Sequence, residues 1–362
     1  MVGTMALLPP FIRAARPAKA VPQAAAAGLP ADDEVLLDAA DGRLGPALVA
    51  AGQDGYRPAA ELLAATRARG EWERRDRYVT RLAWFAHARP DWFERWRAAA
   101  PRDPDALAVA AQLAVDRAWR SPARAEVLRE VSPLITAAAQ ACDRDPVPWR
   151  IALDHARGTR AGHKYFGELW EAAVRRAPHH YGCHVAALRY LAASCCVLSG
   201  DTPHTPEAPH RECFDFADRA AQDVPPHSLV RALPLQAAFA CLTDDCGPMV
   251  ARERLDAAAD RAIVLSAGLP PADPWPAPVR NLLVYVLARL GRRDDALVQL
   301  RLLGPYATSF PWDQVADDPL GHFLTVRGEI VRGLPVGPPR RSGGHHAHRP
   351  AHSAHHCSVP DH

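Results

Sequence analysis

The stretch RNLLVYVLARLGRRDDALVQLRLL, residues 280–303, decides the fold predicted for this chain. Apolar residues recur every three or four positions on both sides of Gly291, which is the spacing of amphipathic helices. Gly291 readily takes the left-handed conformation that ends a helix, and Gly304-Pro305 stops the second half. Helices shorter than about 12–15 residues are marginal alone in water. We therefore predict a helix hairpin that buries its apolar stripes against itself and its neighbours.

This hairpin resembles the tetratricopeptide repeat, in which two antiparallel helices meet at a glycine turn and a proline closes the unit. The matching residues here are Leu283, Leu287, Gly291, Ala296, Leu300 and Leu303, with Pro305 slightly early, and upstream Trp149, Phe166, Trp170, Ala173 and Pro178. The runs at 178–193, 280–287 and 308–319 also resemble a tetratricopeptide-like family of high-GC bacteria, and that resemblance brings no activity with it. The resemblance to tetratricopeptide repeats implies an all-α fold. The expected arrangement is a right-handed superhelical stack of antiparallel helix hairpins (an α-solenoid).

Composition and periodicity divide the chain into four parts. We predict a disordered N-terminal segment at 1–30, an N-terminal helical region at 31–142, a helix-hairpin array with a C-terminal capping helix at 143–333, and a disordered, histidine-rich tail at 334–362. Asp32 or Asp33 is expected to cap a short helix through Leu36 and Leu37. Arg-Asp-Pro occurs at 102–104 and again at 144–146, and an Asp-Pro pair suits the start of a helix.

The overall charge excludes some classes of partner. The formal net charge is only +2, so nothing in it favours nucleic acid or an anionic membrane, and no apolar run reaches the length of a membrane span. Aromatic residues alternate with arginine at 71–97, a pattern compatible with base stacking, but their three- and four-residue spacing favours a packing core. No secretory signal is evident, so a cytoplasmic protein with reduced cysteines is expected.

The leading functional prediction is a scaffold that binds a protein or peptide in the concave groove of the array, without catalysis. The usual phosphate-binding, nucleophile-elbow and metalloprotease motifs are missing. In the repeat family, asparagine and basic residues on first helices clamp a peptide's carboxylate and backbone. By that resemblance the ligand-binding candidates are Arg280 and Asn281 with Arg150 and Arg231, and Tyr285 and Trp149 are candidate apolar anchors. The other interpretation of these residues is a core or solvent-facing role.

The alternative function is a metal-dependent enzyme or a metal-handling protein. If helical, His180, Cys183 and His184 share one face, which suits a divalent ion such as zinc. His204, His210 and Cys213 follow and would complete a four-ligand site. Otherwise they are polar residues at the start of a helix. The histidine-rich tail is a second metal-binding candidate.

Overall fold

The computed structural model describes residues 23–198, 208–222, 224–243 and 250–333. About three quarters of this part of the chain is helical and the only strands described are two residues long, which confirms the all-α class. The helices are α1 (Gln23–Ala26), α2 (Leu44–Gly52), α3 (Arg57–Arg69), α4 (Trp72–Ala88), α5 (Asp91–Ala99), α6 (Pro104–Arg120), α7 (Arg124–Ala141), α8 (Val147–Gly158), α9 (His163–Arg176), α10 (Tyr181–Leu198), α11 (Ala208–Gln222), α12 (Leu233–Thr243), α13 (Arg252–Ala267), α14 (Ala277–Arg289), α15 (Arg293–Leu303) and α16 (Pro319–Arg332). In this part of the chain no helix is both long and apolar enough to cross a membrane.

Neighbouring helices pack in pairs, and the even-numbered helices from α4 to α14 form an inner series. Each of them contacts the next one in the series, and α4 also contacts α8 and α10. The helices α7, α9, α11 and α13 connect successive members of the series and pack against them. The inner helices therefore curve around a shared space. The right-handed, tetratricopeptide-like arrangement of this array stays a prediction.

The stretch at 280–303 forms the expected hairpin of α14 and α15. Gly291 lies between them with a φ of +71°, in the left-handed region that favours glycine. Apolar residues of both helices are fully or almost fully buried, among them Leu283, Leu287 and Leu300. Trp312, which follows the hairpin, packs edge-to-face on the Tyr285 ring and covers its end.

The two Arg-Asp-Pro sequences start helices, as predicted. Asp103 accepts the backbone N–H of Asp105 at 2.9 Å, and Asp145 accepts that of Val147 at 2.9 Å. A fully buried arginine on α4, Arg75, then joins the two helix starts. Its Nη1 lies 2.6 Å from Asp105 and its Nε 2.7 Å from Asp145.

The two ends of the described chain meet. Strand β1 (Leu36–Leu37) pairs in parallel with β2 (Tyr306–Ala307), and the Asp38 carboxylate accepts the Ser309 N–H at 3.0 Å. The predicted helix through Leu36 and Leu37 is therefore wrong. A short 3-10 turn at Asp32–Glu34 precedes the strand. The predicted helix does not form here because the backbone of the strand is hydrogen-bonded to partners far along the chain.

The predicted division into four parts stays a prediction. Residues 23–30, in the segment expected to be disordered, include α1 and the buried Leu29. Two apolar clusters meet within α10, where Cys183 belongs to the N-terminal cluster and Val185 to the C-terminal one. The remaining residues expected to be disordered, 1–22 and 334–362, lie outside the described part of the chain.

Candidate functional site

The inner helices line a half-open central cavity of about 500 Å³. Each helix contributes one face, with residues spaced three or four apart. The lining residues are Glu73, Asp76, Arg77, Thr80 and Arg81 from α4, Gln112, Val115, Asp116 and Trp119 from α6, Arg150, Asp154 and Arg157 from α8, and Tyr181, Gly182, Val185, Ala186 and Arg189 from α10. Leu229, Gln236, Trp275, Pro278, Val279 and Phe310 complete the wall. The cavity combines charged groups with aromatic and aliphatic surface.

The carboxylates of the cavity already have partners within the protein. Asp76 accepts two hydrogen bonds from Arg150, at 2.9 and 2.5 Å, and Asp154 accepts a third at 3.3 Å. Asp116 accepts the side-chain amide of Gln112 at 2.7 Å. Burial raises the pKa of the Asp116 carboxyl. This wall of the cavity is held rigidly by its own hydrogen bonds.

One carboxylate binds the start of an inner helix. Glu73 accepts the Tyr181 backbone N–H at 2.6 Å, at the N-terminus of α10. Burial raises the pKa of Glu73, and burial also raises the pKa of Tyr181, to about 12. The Tyr181 hydroxyl accepts the Gln236 amide at 2.9 Å. Helices α4, α10 and α12 are thereby joined around one side of the cavity.

Four arginines of the cavity lie on aromatic rings. One of them, Arg81, is 5.7 Å from the Trp84 ring centre and pairs with the Asp38 carboxylate at 3.3 Å; the other three are Arg77, Arg157 and Arg189. The guanidinium carbon is 4.0 Å from the ring centre for Arg77 on Trp275, 4.1 Å for Arg157 on Trp119 and 5.4 Å for Arg189 on Phe310. None of the three makes a hydrogen bond to a carboxylate within the described residues. Burial lowers the pKa of Arg77 to about 10 and also lowers that of Arg157. These cations are the groups best placed to receive an anionic ligand.

The predicted ligand-binding residue Arg280 does not face the cavity. It is 0% exposed, and its guanidinium donates to the Ser266 hydroxyl at 3.0 Å. Its Nη atoms donate to backbone carbonyls in the last turn of α13 and just beyond it, and to that of Leu302, at 2.8 to 3.0 Å. Arg280 therefore satisfies the free carbonyls of helix ends and does not line the central cavity.

Asn281 and Tyr285 are also core residues. The Asn281 amide donates to the carbonyls of Ala277 and Tyr306, at 2.8 and 3.0 Å, and accepts the Trp312 indole N–H at 3.0 Å. Tyr285 is 2% exposed and packs on Phe239 and Trp312. Helix α14 is covered on nearly all sides, so these side chains do not line the central cavity.

The other predicted ligand-binding residues are divided between different surfaces. Arg150 does line the central cavity, but its guanidinium is engaged by Asp76 and Asp154. Trp149, its neighbour in α8, faces a separate cavity of about 330 Å³ between α7 and α9, with Arg176 4.3 Å over its ring. Arg231 is half-buried on the 3-10 turn Leu229–Ala232 and does not line the central cavity.

His180 and Cys183 lie together beneath the cavity. His180 is 2% exposed, and its Nδ1 accepts the Cys183 backbone N–H at 3.3 Å, as a helix-capping residue does. The same atom is 3.1 Å from the Cys183 sulfur, and Nε2 is 3.7 Å from Asp76. Burial raises the pKa of the Cys183 thiol, which disfavours the thiolate that binds metals and attacks substrates.

His184 points to another environment. Its Nδ1 is 3.0 Å from the His180 carbonyl, and its ring packs edge-to-face on Trp170. Among the described residues, no group of three or more His, Cys, Asp or Glu side chains is arranged to hold a metal ion. His210 and Cys213 are buried on α11, and His204 and the histidine-rich tail lie outside the described residues. The metal hypothesis stays a prediction.

Apart from Arg150, the charged residues that line the cavity were not predicted from the sequence, because their pattern is also that of a solvated helix face. The signal was present: polar residues recur at positions 73, 76, 77, 80 and 81 and at 150, 154 and 157. Such spacing identifies the residues that share one helix face. It does not indicate whether that face contacts solvent, a cavity or another helix. Comparison with protein-family models, with curated proteins and with solved structures finds no match to this chain.

Proposed function

We propose that this chain is a binding protein that holds a short segment of a protein or peptide in its central cavity. The finer architecture is part of the proposal: a right-handed, tetratricopeptide-like stack of hairpins, with α4 to α14 as the inner layer. The continuous contacts between successive inner helices support it. Stacked hairpins present one curved inner surface to a ligand.

The single observation that carries the proposal is the size and chemistry of the central cavity. Its volume of about 500 Å³ lies within the range of small-ligand sites, about 300–1,000 Å³. A cavity of this volume can hold a few residues of an extended peptide chain. The apolar groups Val115, Val185 and Val279 offer surface for side chains, and the polar groups between them fix orientation.

The distribution of charge favours an acidic segment. Arg150 is already engaged by two carboxylates, whereas Arg77, Arg157 and Arg189 are not hydrogen-bonded to any. An acidic side chain of the ligand would supply the missing acceptor, and a hydrogen bond to a charged group contributes about 1.5–3 kcal/mol. We therefore assign to Arg77, Arg157 and Arg189 the ligand-binding role first predicted for Arg280 and Arg150.

The proposal is tested by closing the cavity. Thr80 is exposed and lines the wall, so Thr80→Trp fills space without replacing a core residue. Val264→Trp is the matched control, because Val264 is 69% exposed on α13 and outside the cavity. A pool of unphosphorylated, dye-labelled acidic octapeptides is fractionated on the immobilised protein, and the retained peptides are measured by fluorescence polarisation.

We expect Thr80→Trp to weaken binding of the retained peptides at least about tenfold and Val264→Trp to leave it unchanged, with both variants folded by circular dichroism. A tenfold loss corresponds to about 1.4 kcal/mol. Retained peptides that bind Thr80→Trp as tightly as the unaltered chain would place their site elsewhere and refute the proposal.

A further inference from the structure

Two of the cavity arginines contact aromatic rings of the cavity wall. The guanidinium carbon of Arg157 is 4.1 Å from the Trp119 ring centre, and that of Arg189 is 5.4 Å from the Phe310 ring centre. A guanidinium over an aromatic ring keeps its N–H groups available for a planar or tetrahedral oxyanion. Both residues line the central cavity, Arg157 from α8 and Arg189 from the contacting helix α10. An anion that both guanidinium groups contact reduces the repulsion between their like charges.

Neither cation has its charge matched by a hydrogen-bonded carboxylate. Arg189 makes no ion pair with any described residue. The Arg157 Nε is buried without a hydrogen-bond partner, and the closest carboxylate oxygen, of Asp154, is 3.7 Å from Nη2. Asp154 itself is shared with Arg150 at 3.3 Å. Asp154 therefore offsets part of the charge of Arg157, and the pair keeps a net positive charge for a ligand.

We propose that Arg157 and Arg189 form a phosphoryl-binding subsite of the central cavity, so that the bound segment carries a phosphorylated side chain. The inference rests on the proposed function and adds the chemistry of the ligand. A phosphoryl group carries about −1.5 to −2 charges at neutral pH and three acceptor oxygens, so it matches both guanidinium forks at once. A carboxylate carries one charge and matches one fork.

Four peptides of one sequence test this inference by isothermal titration calorimetry. Three are acetylated and amidated and carry phosphoserine, glutamate or serine at the centre of a Leu-Ala-X-Ala-Leu segment. The fourth is the serine peptide with a free C-terminal carboxylate, and inorganic phosphate is titrated alone. The protein variants are Arg157→Gln, Arg189→Gln and, as the matched control, Arg129→Gln. Arg129 is an exposed arginine of α7 outside the cavity.

We expect the phosphoserine peptide to bind at least about tenfold more tightly than the glutamate peptide and more tightly than inorganic phosphate. Charge-assisted hydrogen bonds of this kind make losses of about 10–150-fold reasonable for Arg157→Gln and Arg189→Gln. Arg129→Gln should bind like the unaltered chain. Retention of the phosphoserine preference in both cavity variants would overturn the assignment of these arginines.

The other outcomes separate the two proposals. Equal affinity for phosphoserine and glutamate peptides overturns the phosphoryl subsite and leaves peptide binding in the cavity intact if Thr80→Trp still blocks the unphosphorylated peptides. A preference for the free-carboxylate serine peptide would assign the subsite to a chain terminus. Inorganic phosphate that binds as tightly as the phosphoserine peptide would make a free phosphate the ligand. Each of these results rejects the inference as stated.

Discussion

The buried arginine between two helix starts gives the sharpest prediction on stability. Arg75 is 0% exposed, and it bridges Asp105 at 2.6 Å and Asp145 at 2.7 Å. Asp145 is 1% exposed, and Arg75 is the only described cation in ion-pairing contact with it. Arg75→Met keeps much of the side-chain volume and removes the charge. Asp145 then remains buried without a counter-ion.

The loss should be large because it leaves a buried charge unpaired. Removing one partner of a buried pair costs about 3–5 kcal/mol. With a urea dependence of about 2–3 kcal/mol per molar, the unfolding midpoint should fall by about 1–2.5 M. The assay is urea unfolding followed by far-ultraviolet circular dichroism and by tryptophan fluorescence. Asp145→Asn in the Arg75→Met background should restore part of the loss, since it removes the unpaired charge.

Arg67 provides the matched control, because it binds the same Asp105 carboxylate from a more exposed position. Its Nε and Nη2 donate at 3.0 and 3.2 Å, but its side chain is 31% exposed. Arg67→Met should therefore cost only about 0–1 kcal/mol. Equal losses for the two variants, or a loss below about 1 kcal/mol for Arg75→Met, would refute the argument from burial.

Three further predictions concern packing and protonation. Asn281→Leu leaves the Trp312 indole N–H without its acceptor and should lower the free energy of unfolding by about 1–3 kcal/mol; an unchanged urea midpoint would contradict this. Gly158→Ala would bring a methyl group against Leu128 and should cost about 1–3 kcal/mol by overpacking, which differential scanning calorimetry would detect as a lower Tm. Burial lowers the pKa of His184, so the unfolded chain binds this proton more tightly and stability falls as the pH drops below about 6.5. His184→Phe should show a smaller loss between about pH 7.5 and 5.5 in urea titrations, and an equal loss would exclude His184 as its source.

Local patterns in the sequence were sufficient to predict most of the helices, from α3 onward. The glycine at 291 and the Asp-Pro pairs before α6 and α8 act through neighbouring backbone groups, so their effect is visible in a short window. The strand at Leu36–Leu37 was not predictable in this way. Its partner lies at Tyr306–Ala307, and no local signal indicates such a distant pairing.

The roles of polar residues within helices were the harder part. Arg280 and Asn281 have the composition of a binding site, but contacts with the ends of other helices decide that they are buried. Arg157 and Arg189 are the opposite case. Their sequence spacing is that of an ordinary solvent-facing surface, but both line the central cavity. Whether a polar face meets solvent, a cavity or a helix end depends on the packing of several hairpins together.

The contact between Asp38 and Ser309 has a consequence for how the protein is made. These residues are 271 positions apart, and a ribosome adds about 5–20 residues per second, so roughly 14–54 s separate their synthesis. During that interval β1 lacks the partner that it has in the folded chain. Pairing of the two ends therefore follows synthesis of most of the chain, and a chain that stalls before residue 306 leaves the edge of β1 unpaired.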